Sequence, residues 1–442
     1  MIERSTKDFG WAQPMQPSLV SLAGFFNSRQ TFLSIFTGYC NSMSDVCRLP
    51  NNSSWQWDYP KHASIVSEWG LQCANSAIRG LVASSFLMGC LIGGLLLATL
   101  ADLSLGRKNM LFLSYLSPDL DTTIGTCTLV LASELVGKKW RGSVGLMNFF
   151  ILTLGFLSLP ANAYGNQRSS WRALYIWTSV PAIGYCVLAH FLVCESPRWL
   201  FVMGHREEAS ETLKSIAPPS ASAFTKDFSS ISLDEDPLNN MDILSAIEAS
   251  LEKKWAFRGL RAVMFVGFGT GMVYYGMPLG VTNLDFNLYS SVTPNALAEL
   301  PSTLFYPFFS TFSGFCSLMC ILEGQVWQKW QIGLELVSFF GGCTALDVLL
   351  IYILELFPTC VRNSAIAMVW QAVVFGVVFS PLLVATAGRR GDGVLSYGVF
   401  GLVIGCCGLF VLCLPEARCG NLCDTMDEEE RKENERDSCI LC

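Results

Sequence analysis

Charged residues are scarce in this chain, and their scarcity excludes a soluble globular protein. Asp, Glu, Lys and Arg make up 15% of the 442 residues, whereas about 25% is usual in soluble domains. Hydrophobic residues make up 51%, and the mean hydropathy is +0.41. The buried helices of a large soluble protein would need polar faces, which the long apolar segments of this chain lack. The composition therefore predicts a membrane protein.

The chain also has few residues for metal, nucleotide or enzyme chemistry. Its three histidines, His62, His190 and His205, are far apart, and no metal-binding spacing is present. The segment VGKKWRG, 136–142, does not fit the phosphate-binding motif G-x-x-x-x-G-K-[ST]. No clustered histidines or Ser/Asp dyad stand out within the apolar segments, as an intramembrane enzyme would need. We therefore expect no metal, no organic cofactor, no nucleic-acid partner and no enzyme.

Long apolar runs are the main positive feature. Eight windows of the sequence are long enough to span about 30 Å of hydrocarbon as a helix. A ninth, 15–38, is weaker because it contains Arg29, and an arginine at a helix centre costs about 3 kcal/mol. The charged first ten residues do not predict a cleavable signal peptide. The eight windows are 80–101, 143–164, 173–194, 261–282, 299–321, 331–354, 364–387 and 394–415.

The polar segment 37–79 has the features of a loop on the lumenal or extracellular side. It contains three of the few cysteines outside apolar windows, Cys40, Cys47 and Cys73. The sequence NNSS within it provides overlapping glycosylation sequons at Asn51 and Asn52. Cysteines combined with sequons predict one disulfide, of open connectivity, and glycosylation at these asparagines.

The sequence contains an internal repeat. The segment that starts at Glu134 matches the segment that starts at Glu355, 221 residues later, with 14 identities over 62 positions and no gap. Duplicated helix bundles are typical of secondary transporters, in which the substrate binds between the two halves. The matched pairs include Leu135/Leu356, Arg141/Arg362, Gly155/Gly376, Pro160/Pro381, Gly184/Gly405 and Glu195/Glu416.

Charged residues of the repeat lie at helix ends. Glu134 with Arg141, and Glu355 with Arg362, therefore predict two charge clasps that hold one face of the transporter closed. The alternative is that they are ordinary loop charges that follow the positive-inside rule. Their duplication favours the clasps.

Four further motifs resemble a known family. Together they resemble the organic cation/carnitine transporters of the major facilitator superfamily, especially the plant branch. In the first motif, Asp102 and Gly106 are four residues apart, whereas three is usual in the superfamily. The motifs are LATLADLSLGRK (97–108), CESPRWL (194–200), ELFPTCVRNSA (355–365) and LPEARCG (414–420).

This resemblance implies an all-α membrane fold of two parallel six-helix bundles, with both termini in the cytosol. It also implies gating roles in the first two motifs. The residues concerned are Asp102, Gly106, Arg107, Lys108, Glu195 and Arg198. The implied domains are an N-terminal bundle (1–195), a central cytosolic linker (196–258), a C-terminal bundle (259–415) and an acidic cytosolic tail (416–442).

About ten of the twelve expected helices are present. Two spans and a turn need about 40 residues, but only the 29 residues 109–137 separate two basic clusters that should both face the cytosol. The segment either crosses once, which would invert the middle of the molecule, or enters and returns on the same side. We expect a strained fold here rather than a new functional loop. A second loss is indicated by the absence of Lys and Arg from Val263 to Gln328, where window 299–321 joins pieces of two helices.

The predicted substrate site combines aromatic and acidic residues. A cation gains about 0.5–2 kcal/mol over an aromatic ring, and a carboxylate provides its counter-charge. The resemblance places Tyr274, Tyr275 and Glu299 in the cation cavity. Interfacial anchoring of the tyrosines, and a hydrated helix-end position for Glu299, are the alternatives. Asp347 is an acid within an apolar span, suited to substrate charge or to proton coupling, and Glu335 is similar but nearer its helix end.

The sequence thus predicts a carrier of small organic cations, carnitine-like or polyamine-like, with a proton or sodium ion as the candidate coupling ion. The helix after ELFPTCVRN has no acid in MVWQAVVFG (368–376), where some animal members have a carboxylate. The alternative is a shortened, non-transporting member of the family that acts as a regulatory partner or has no activity. Resemblance leaves the plasma membrane and the vacuolar membrane open, with the vacuole favoured.

Overall fold

The structure is a computed structural model, and all of its described secondary structure is helical. The predicted all-α membrane fold is therefore confirmed. The residues described are 12–38, 60–71, 73–100, 106–116, 121–137, 140–216, 253–281, 288–302, 325–357, 362–390 and 395–411.

The N-terminal half contains eight of the described helices and one short 3₁₀ turn, Lys61–Ala63. The helices are α1 (Ala12–Thr31), α2 (Leu33–Thr37), α3 (Ile65–Glu68), α4 (Ser76–Leu100), α5 (Arg107–Leu116), α6 (Asp121–Glu134), α7 (Arg141–Gly165) and α8 (Trp171–Leu192).

Seven more helices complete the part of the chain that the structure describes. Two of them lie at the start of the predicted central linker, which is therefore helical there. These two are α9 (Pro197–Val202) and α10 (Arg206–Ile216), and the others are α11 (Lys254–Gly280), α12 (Leu288–Ser302), α13 (Gln325–Leu356), α14 (Arg362–Arg390) and α15 (Leu395–Val411).

Six of these helices, α4, α7, α8, α11, α13 and α14, are long and apolar enough to cross a membrane. Helix α15 contains a shorter apolar stretch, Ser396–Gly408, and α1 and α12 have 20 and 15 residues. Six of the described helices thus meet the criterion for a span, and the predicted count of about ten stays a prediction.

The structure contains a helix, Leu288–Ser302, that the sequence analysis did not predict. The predicted window 299–321 overlaps it only at 299–302, and the rest of that window stays a prediction. A search for apolar residues misses this start because the helix carries Ser291 and Asn295, which are buried inside the protein and do not face lipid. Residues 303–324 lie outside the described part of the chain.

The short segment 109–137 forms a helical hairpin that enters and returns on the same side. Helices α5 and α6 pack against each other, and with 10 and 14 residues they are about 15 and 21 Å long, too short to span. The Nε atom of Arg107 in the first turn of α5 lies 3.8 Å from Oε2 of Glu134 in the last turn of α6. The two ends of the hairpin therefore meet, and the alternative of a single crossing is wrong.

Protein surrounds this hairpin. Helix α6 packs on α1, α4 and α7, and α5 packs on α8. Met110, Leu111, Ile124 and Leu131 are all at most 4% exposed. The described residues of both helices are helical throughout, residues 117–120 between them lie outside the described part of the chain, and the expectation of a strained segment stays a prediction. This cover is what a non-spanning segment at membrane depth requires.

The hairpin fixes the side on which the central segment lies. A glycosylation reporter inserted near Ser229 is expected to stay unmodified, because the chain returns through Glu134 to the side of Arg107 before it crosses again in α7 and α8. Microsomal glycosylation measures this directly, with a reporter in the segment 37–59 as the positive control. Modification at Ser229 together with a modified control would contradict the returning hairpin.

The start of α8 contacts the described part of the polar segment 37–79. Arg172 Nη1 lies 2.8 Å from both carboxylate oxygens of Glu68, and Trp171 Nε1 donates to Oε2 of Glu68 at 2.6 Å. The bond from Arg172 lowers the pKa of the Glu68 carboxyl. Cys73 is in a disulfide, as predicted for this segment. Asn51, Asn52 and the partner of Cys73 lie outside the described residues.

Candidate functional site

The carboxyl group of Glu299 lies between the two halves of the molecule. Glu299 is in the last turns of α12 and is 5% exposed. Tyr274 of α11 donates its hydroxyl hydrogen to Oε1 of Glu299 at 2.8 Å. From the N-terminal half, the side chain of Thr153 in α7 lies within hydrogen-bond reach of the same carboxyl. The two halves thus share one buried acid.

Aromatic rings from both halves enclose Tyr274. The ring of Phe339 in α13 stacks against it at 6.0 Å between centroids, with the planes 19° apart. The ring of Phe32, between α1 and α2, meets it edge-on at 5.5 Å. Both phenylalanines are at most 1% exposed. The tyrosine is therefore held on its two sides by residues of different halves.

Asp347 lies in the same region. It is 9% exposed and stands one turn after Cys343 in α13. Tyr274 and Cys343 both interact electrostatically with Asp347 and with Glu299. The structure therefore brings together three of the four residues predicted to bind substrate, Tyr274, Glu299 and Asp347.

The fourth, Tyr275, joins the halves at a different point. Its hydroxyl group is hydrogen-bonded to that of Ser34 in α2, and its ring stacks on Phe32 at 5.7 Å. Adjacent helical residues point about 100° apart, which explains why the two tyrosines have different partners. The role of Tyr275 in substrate binding stays a prediction.

This arrangement is suited to binding a cation without covalent chemistry. A carboxylate provides counter-charge, aromatic rings lie beside it, and burial strengthens the attraction. Sequence reasoning did not identify Phe32 and Thr153, because both are unremarkable residues that reach the site only through the packing of α1 and α7. No single-residue signal in the sequence marks either of them.

A second cluster, at the start of the hairpin, contains several predicted gating residues. The carboxyl group of Glu195 accepts hydrogen bonds from the backbone N–H groups of Arg107 at 3.1 Å, Lys108 at 3.0 Å and Ser196 at 2.9 Å. Burial raises the pKa of the Glu195 carboxyl, while these donors and the charge of Arg107 lower it. The carboxyl group therefore caps the N-terminus of α5. We call this cluster the hairpin latch.

The structure pairs Glu134 with Arg107 of the hairpin latch. The partner of Glu134 thus comes from the other end of the hairpin, and the predicted pairing with Arg141 stays a prediction. Glu355 and Arg362 are the second-last residue of α13 and the first of α14, and their side chains lie outside the description, as does Asp102. Arg198 is in α9, directly beyond the latch.

Gly106 is required by the geometry of the hairpin latch. Its φ angle is +78°, and a Cβ atom would lie 2.5 Å from Oε2 of Glu195. Gly106→Ala is expected to lower the free energy of unfolding by about 1–3 kcal/mol, because strained backbone and a displaced carboxylate add up. Thermal unfolding in detergent measures this change. Gly204→Ala, at φ +83° with nothing within 4 Å, is the control for backbone strain alone; equal losses in both variants would contradict the role of the carboxylate.

Comparison with known proteins places the chain among transporters. The chain is 51% identical to organic cation/carnitine transporter 3 of Arabidopsis thaliana, over 98% of this chain and 93% of the relative. It is 49% identical to organic cation/carnitine transporter 2 of Arabidopsis thaliana, again over 98% of this chain and 93% of the relative. The sugar (and other) transporter family profile matches residues 122–276. The solved structure of the proton:xylose symporter XylE superimposes with a TM-score of 0.64 at 16% identity, covering 94% of this chain and 98% of that one.

The alignment with the first relative also bears on the missing helices. It runs over 487 positions, whereas the chain has 442 residues. At least 45 positions of the relative (487 less 442) therefore have no counterpart in this chain. Because the match reaches nearly both ends of the chain, the loss is internal, as the sequence predicts.

Proposed function

Because the chain belongs to the organic cation/carnitine transporters of the major facilitator superfamily, we propose that it carries small organic cations across a membrane by alternating access. The substrate class is carnitine-like or polyamine-like solutes. The process consists of binding and conformational change.

The observation that carries this proposal is the shared carboxyl group of Glu299. It belongs to the C-terminal half, lies within reach of Thr153 in the N-terminal half and accepts a hydrogen bond from Tyr274. An ammonium group bound to Glu299 compensates the negative charge of the carboxylate, and the rings of Tyr274 and Phe339 lie beside it. Rocking of one half against the other then changes the side from which this carboxyl is reached.

Closure of the two halves involves contacts on either side of this site. Beyond it on the outer side, Tyr289 of α12 contacts Phe36 and Tyr164 of the N-terminal half at 5.8 and 5.6 Å between centroids. On the other side, Phe149 of α7 packs into a cluster of C-terminal residues. We propose that these contacts separate alternately, while the hairpin latch keeps the N-terminal half rigid.

The transport step is coupled to an ion in this proposal. Asp347 interacts with Tyr274 and Cys343 beside the substrate carboxyl. An acid at this depth gains or loses a counter-charge as the site opens. A proton or a sodium ion is the candidate, and the comparison of pH and sodium gradients distinguishes them.

Counterflow in proteoliposomes tests the proposed function. Vesicles that contain the purified protein and unlabelled L-carnitine are expected to accumulate labelled L-carnitine transiently, and unlabelled putrescine outside is expected to compete if polyamines share the site. Protein-free vesicles provide the control. If monodisperse, folded protein shows counterflow neither of labelled L-carnitine nor of labelled putrescine, the proposal is contradicted.

The second candidate, a non-transporting family member, also rests on an observation. The α5–α6 hairpin reaches about 21 Å at most, so it is shorter than the two full spans that it replaces. A carrier whose N-terminal half cannot rock would bind an organic cation without moving it. Binding of L-carnitine without counterflow favours this candidate.

We propose the vacuolar membrane as the location and glycosylation at Asn51 or Asn52. The disulfide at Cys73 supports an oxidising environment for that segment. A fluorescent fusion, compared with markers of the vacuolar and plasma membranes, checks the first proposal. An amidase-sensitive mobility shift that is lost in the double variant Asn51→Gln/Asn52→Gln checks the second.

A further inference from the structure

A second buried acid lies one helical turn from the candidate substrate site. Glu335 of α13 is 1% exposed, and Asn295 of α12 is 0% exposed. Nδ2 of Asn295 donates a hydrogen bond to Oε1 of Glu335 at 3.0 Å. Asn295 precedes Glu299 by four residues, and Glu335 precedes Phe339 by four. The pair is thus the next layer of the same helix interface, beyond the ring of Phe339.

This pair has an incomplete set of hydrogen bonds. Within the described residues, Oδ1 of Asn295 is buried and has no hydrogen-bond partner. A buried amide oxygen without a donor destabilises the fold, so its neighbourhood suits a ligand that brings a hydrogen or a positive charge. The carboxyl group of Glu335 beside it has the same requirement, because an ionised acid in an apolar interior needs compensation.

Basic residues do not provide that compensation. Helices α12 and α15 contain no Lys or Arg, and those of α7, α11 and α14 are near helix ends. Helix α13 has only Lys329, six residues before Glu335 and therefore about 240° around the helix from it. The titratable residues of these helices outside their basic ends include Tyr164 of α7, Tyr274 and Tyr275 of α11, Tyr289 and Glu299 of α12, Cys343, Asp347 and Tyr352 of α13, and Tyr397, Cys406 and Cys407 of α15. All of them are acids, so none supplies a positive charge.

We propose that Glu335 and Asn295 form a proton-binding site, separate from the substrate site at Glu299, and that this site couples transport to a proton gradient. The inference rests on the proposed function for its coupling role. A proton adds to the Glu335 carboxylate to give the neutral acid. An acid and an amide can then make two hydrogen bonds, with the N–H of Asn295 donating to the carboxyl and the new O–H donating to Oδ1.

The donor set favours a proton over sodium. Hard cations are usually surrounded by about six oxygen ligands, whereas the described site contains one carboxylate and one amide. Its position also suits coupling, because Cys343 interacts electrostatically with Glu299 and Asp347 and, more weakly, with Glu335. A charge that appears at Glu335 therefore acts on the same region as a charge at the substrate site.

The test uses the full-length protein in proteoliposomes and the variant Glu335→Gln. Glutamine resembles the protonated acid and keeps a hydrogen-bonded pair with Asn295, so folding is expected to be retained. Carnitine counterflow should continue, because it needs no net proton movement, whereas the acceleration of net carnitine uptake by a pH gradient should be lost. Glu207→Gln, an exposed acid of α10, is the matched control and should respond as the unaltered protein does.

Infrared difference spectroscopy provides a readout that does not depend on transport. The unaltered protein should show the C=O band of a protonated, hydrogen-bonded carboxyl group that is lost in Glu335→Gln. In Asn295→Leu the band should move to higher frequency. Loss of counterflow in the unaltered protein with this band retained would contradict the proposed function and not the proton site. A pH-gradient response that persists in Glu335→Gln, acceleration by sodium instead of protons, or a band unchanged in that variant would overturn the inference.

Discussion

Replacing Gly376 by alanine is expected to disrupt the C-terminal bundle. A Cβ atom at this position of α14 would lie 2.0 Å from the backbone oxygen of Phe268 in α11. Overpacking of a core typically costs about 1–3 kcal/mol where side chains can adjust. Here the obstacle is the backbone of a facing helix, which has no other rotamer, so we expect a loss at or above the upper end of that range.

The N-terminal half contains the equivalent contact. Gly155 matches Gly376 at the offset of 221 residues, and a Cβ atom there would lie 2.1 Å from the backbone oxygen of Phe25 in α1. Each repeat therefore uses the same glycine to bring one helix, α7 or α14, against the first helix of its bundle, α1 or α11. Gly155→Ala is expected to destabilise the protein about as much as Gly376→Ala.

The repeat also provides the matched controls. Gly184 and Gly405 correspond to each other at the same offset, and a Cβ atom at either would meet nothing within 4 Å. Alanine at these two sites should leave the thermal unfolding midpoint unchanged or slightly raised, because alanine favours the helix by up to about 1 kcal/mol over glycine. The midpoint in detergent, measured for all four variants, decides the matter. Similar values for all four would contradict the packing role of Gly155 and Gly376.

These paired glycines show what the sequence could predict and what it could not. The offset of 221 residues was visible because both copies carry the same residues at the same spacing. The reason for Gly155 and Gly376 was not visible, since a close helix crossing depends on which backbone lies opposite. Gly184 and Gly405 are matched at the same offset, but they make no close helix contact.

Some of the membrane helices could also be predicted from the sequence, and others could not. Helices that face lipid or apolar neighbours, such as α8 and α14, were predictable because hydropathy alone determines where they lie. Helix α12 was not predicted from Leu288 onward because its buried polar residues, Ser291 and Asn295, lower its hydropathy. The hairpin of α5 and α6 was one of two alternatives, and the contact between Arg107 and Glu134 decides for it.

The hairpin latch and the pair of Asn295 and Glu335 differ in how far the sequence predicts them. The hairpin latch joins Arg107 to Glu195 across 88 residues, and resemblance to the family identified both partners without their geometry. The pair of Asn295 and Glu335 was not predicted. A spacing of four residues, shared by Asn295 and Glu299 on one helix and by Glu335, Phe339, Cys343 and Asp347 on the other, was the available signal.

Glu299→Gln is expected to have the largest effect on substrate binding. The variant keeps the size of the side chain and an oxygen that can accept the hydrogen bond from Tyr274, so the fold should be retained. It removes the charge that faces the substrate cation. Truncating one partner of a buried charge pair costs about 2–5 kcal/mol, which corresponds to binding weaker by at least about thirtyfold.

Equilibrium binding of labelled L-carnitine to purified protein measures this loss, and Tyr274→Phe is the matched variant. Phenylalanine keeps the ring between Phe32 and Phe339 and removes only the hydroxyl group, so its effect should stay within about 0.5–1.5 kcal/mol, or roughly tenfold. A large loss in Glu299→Gln with a small one in Tyr274→Phe identifies charge as the main determinant of binding. Equal affinity of Glu299→Gln and the unaltered protein would contradict the assignment, because no cation in a site of this burial can lose its counter-charge without effect.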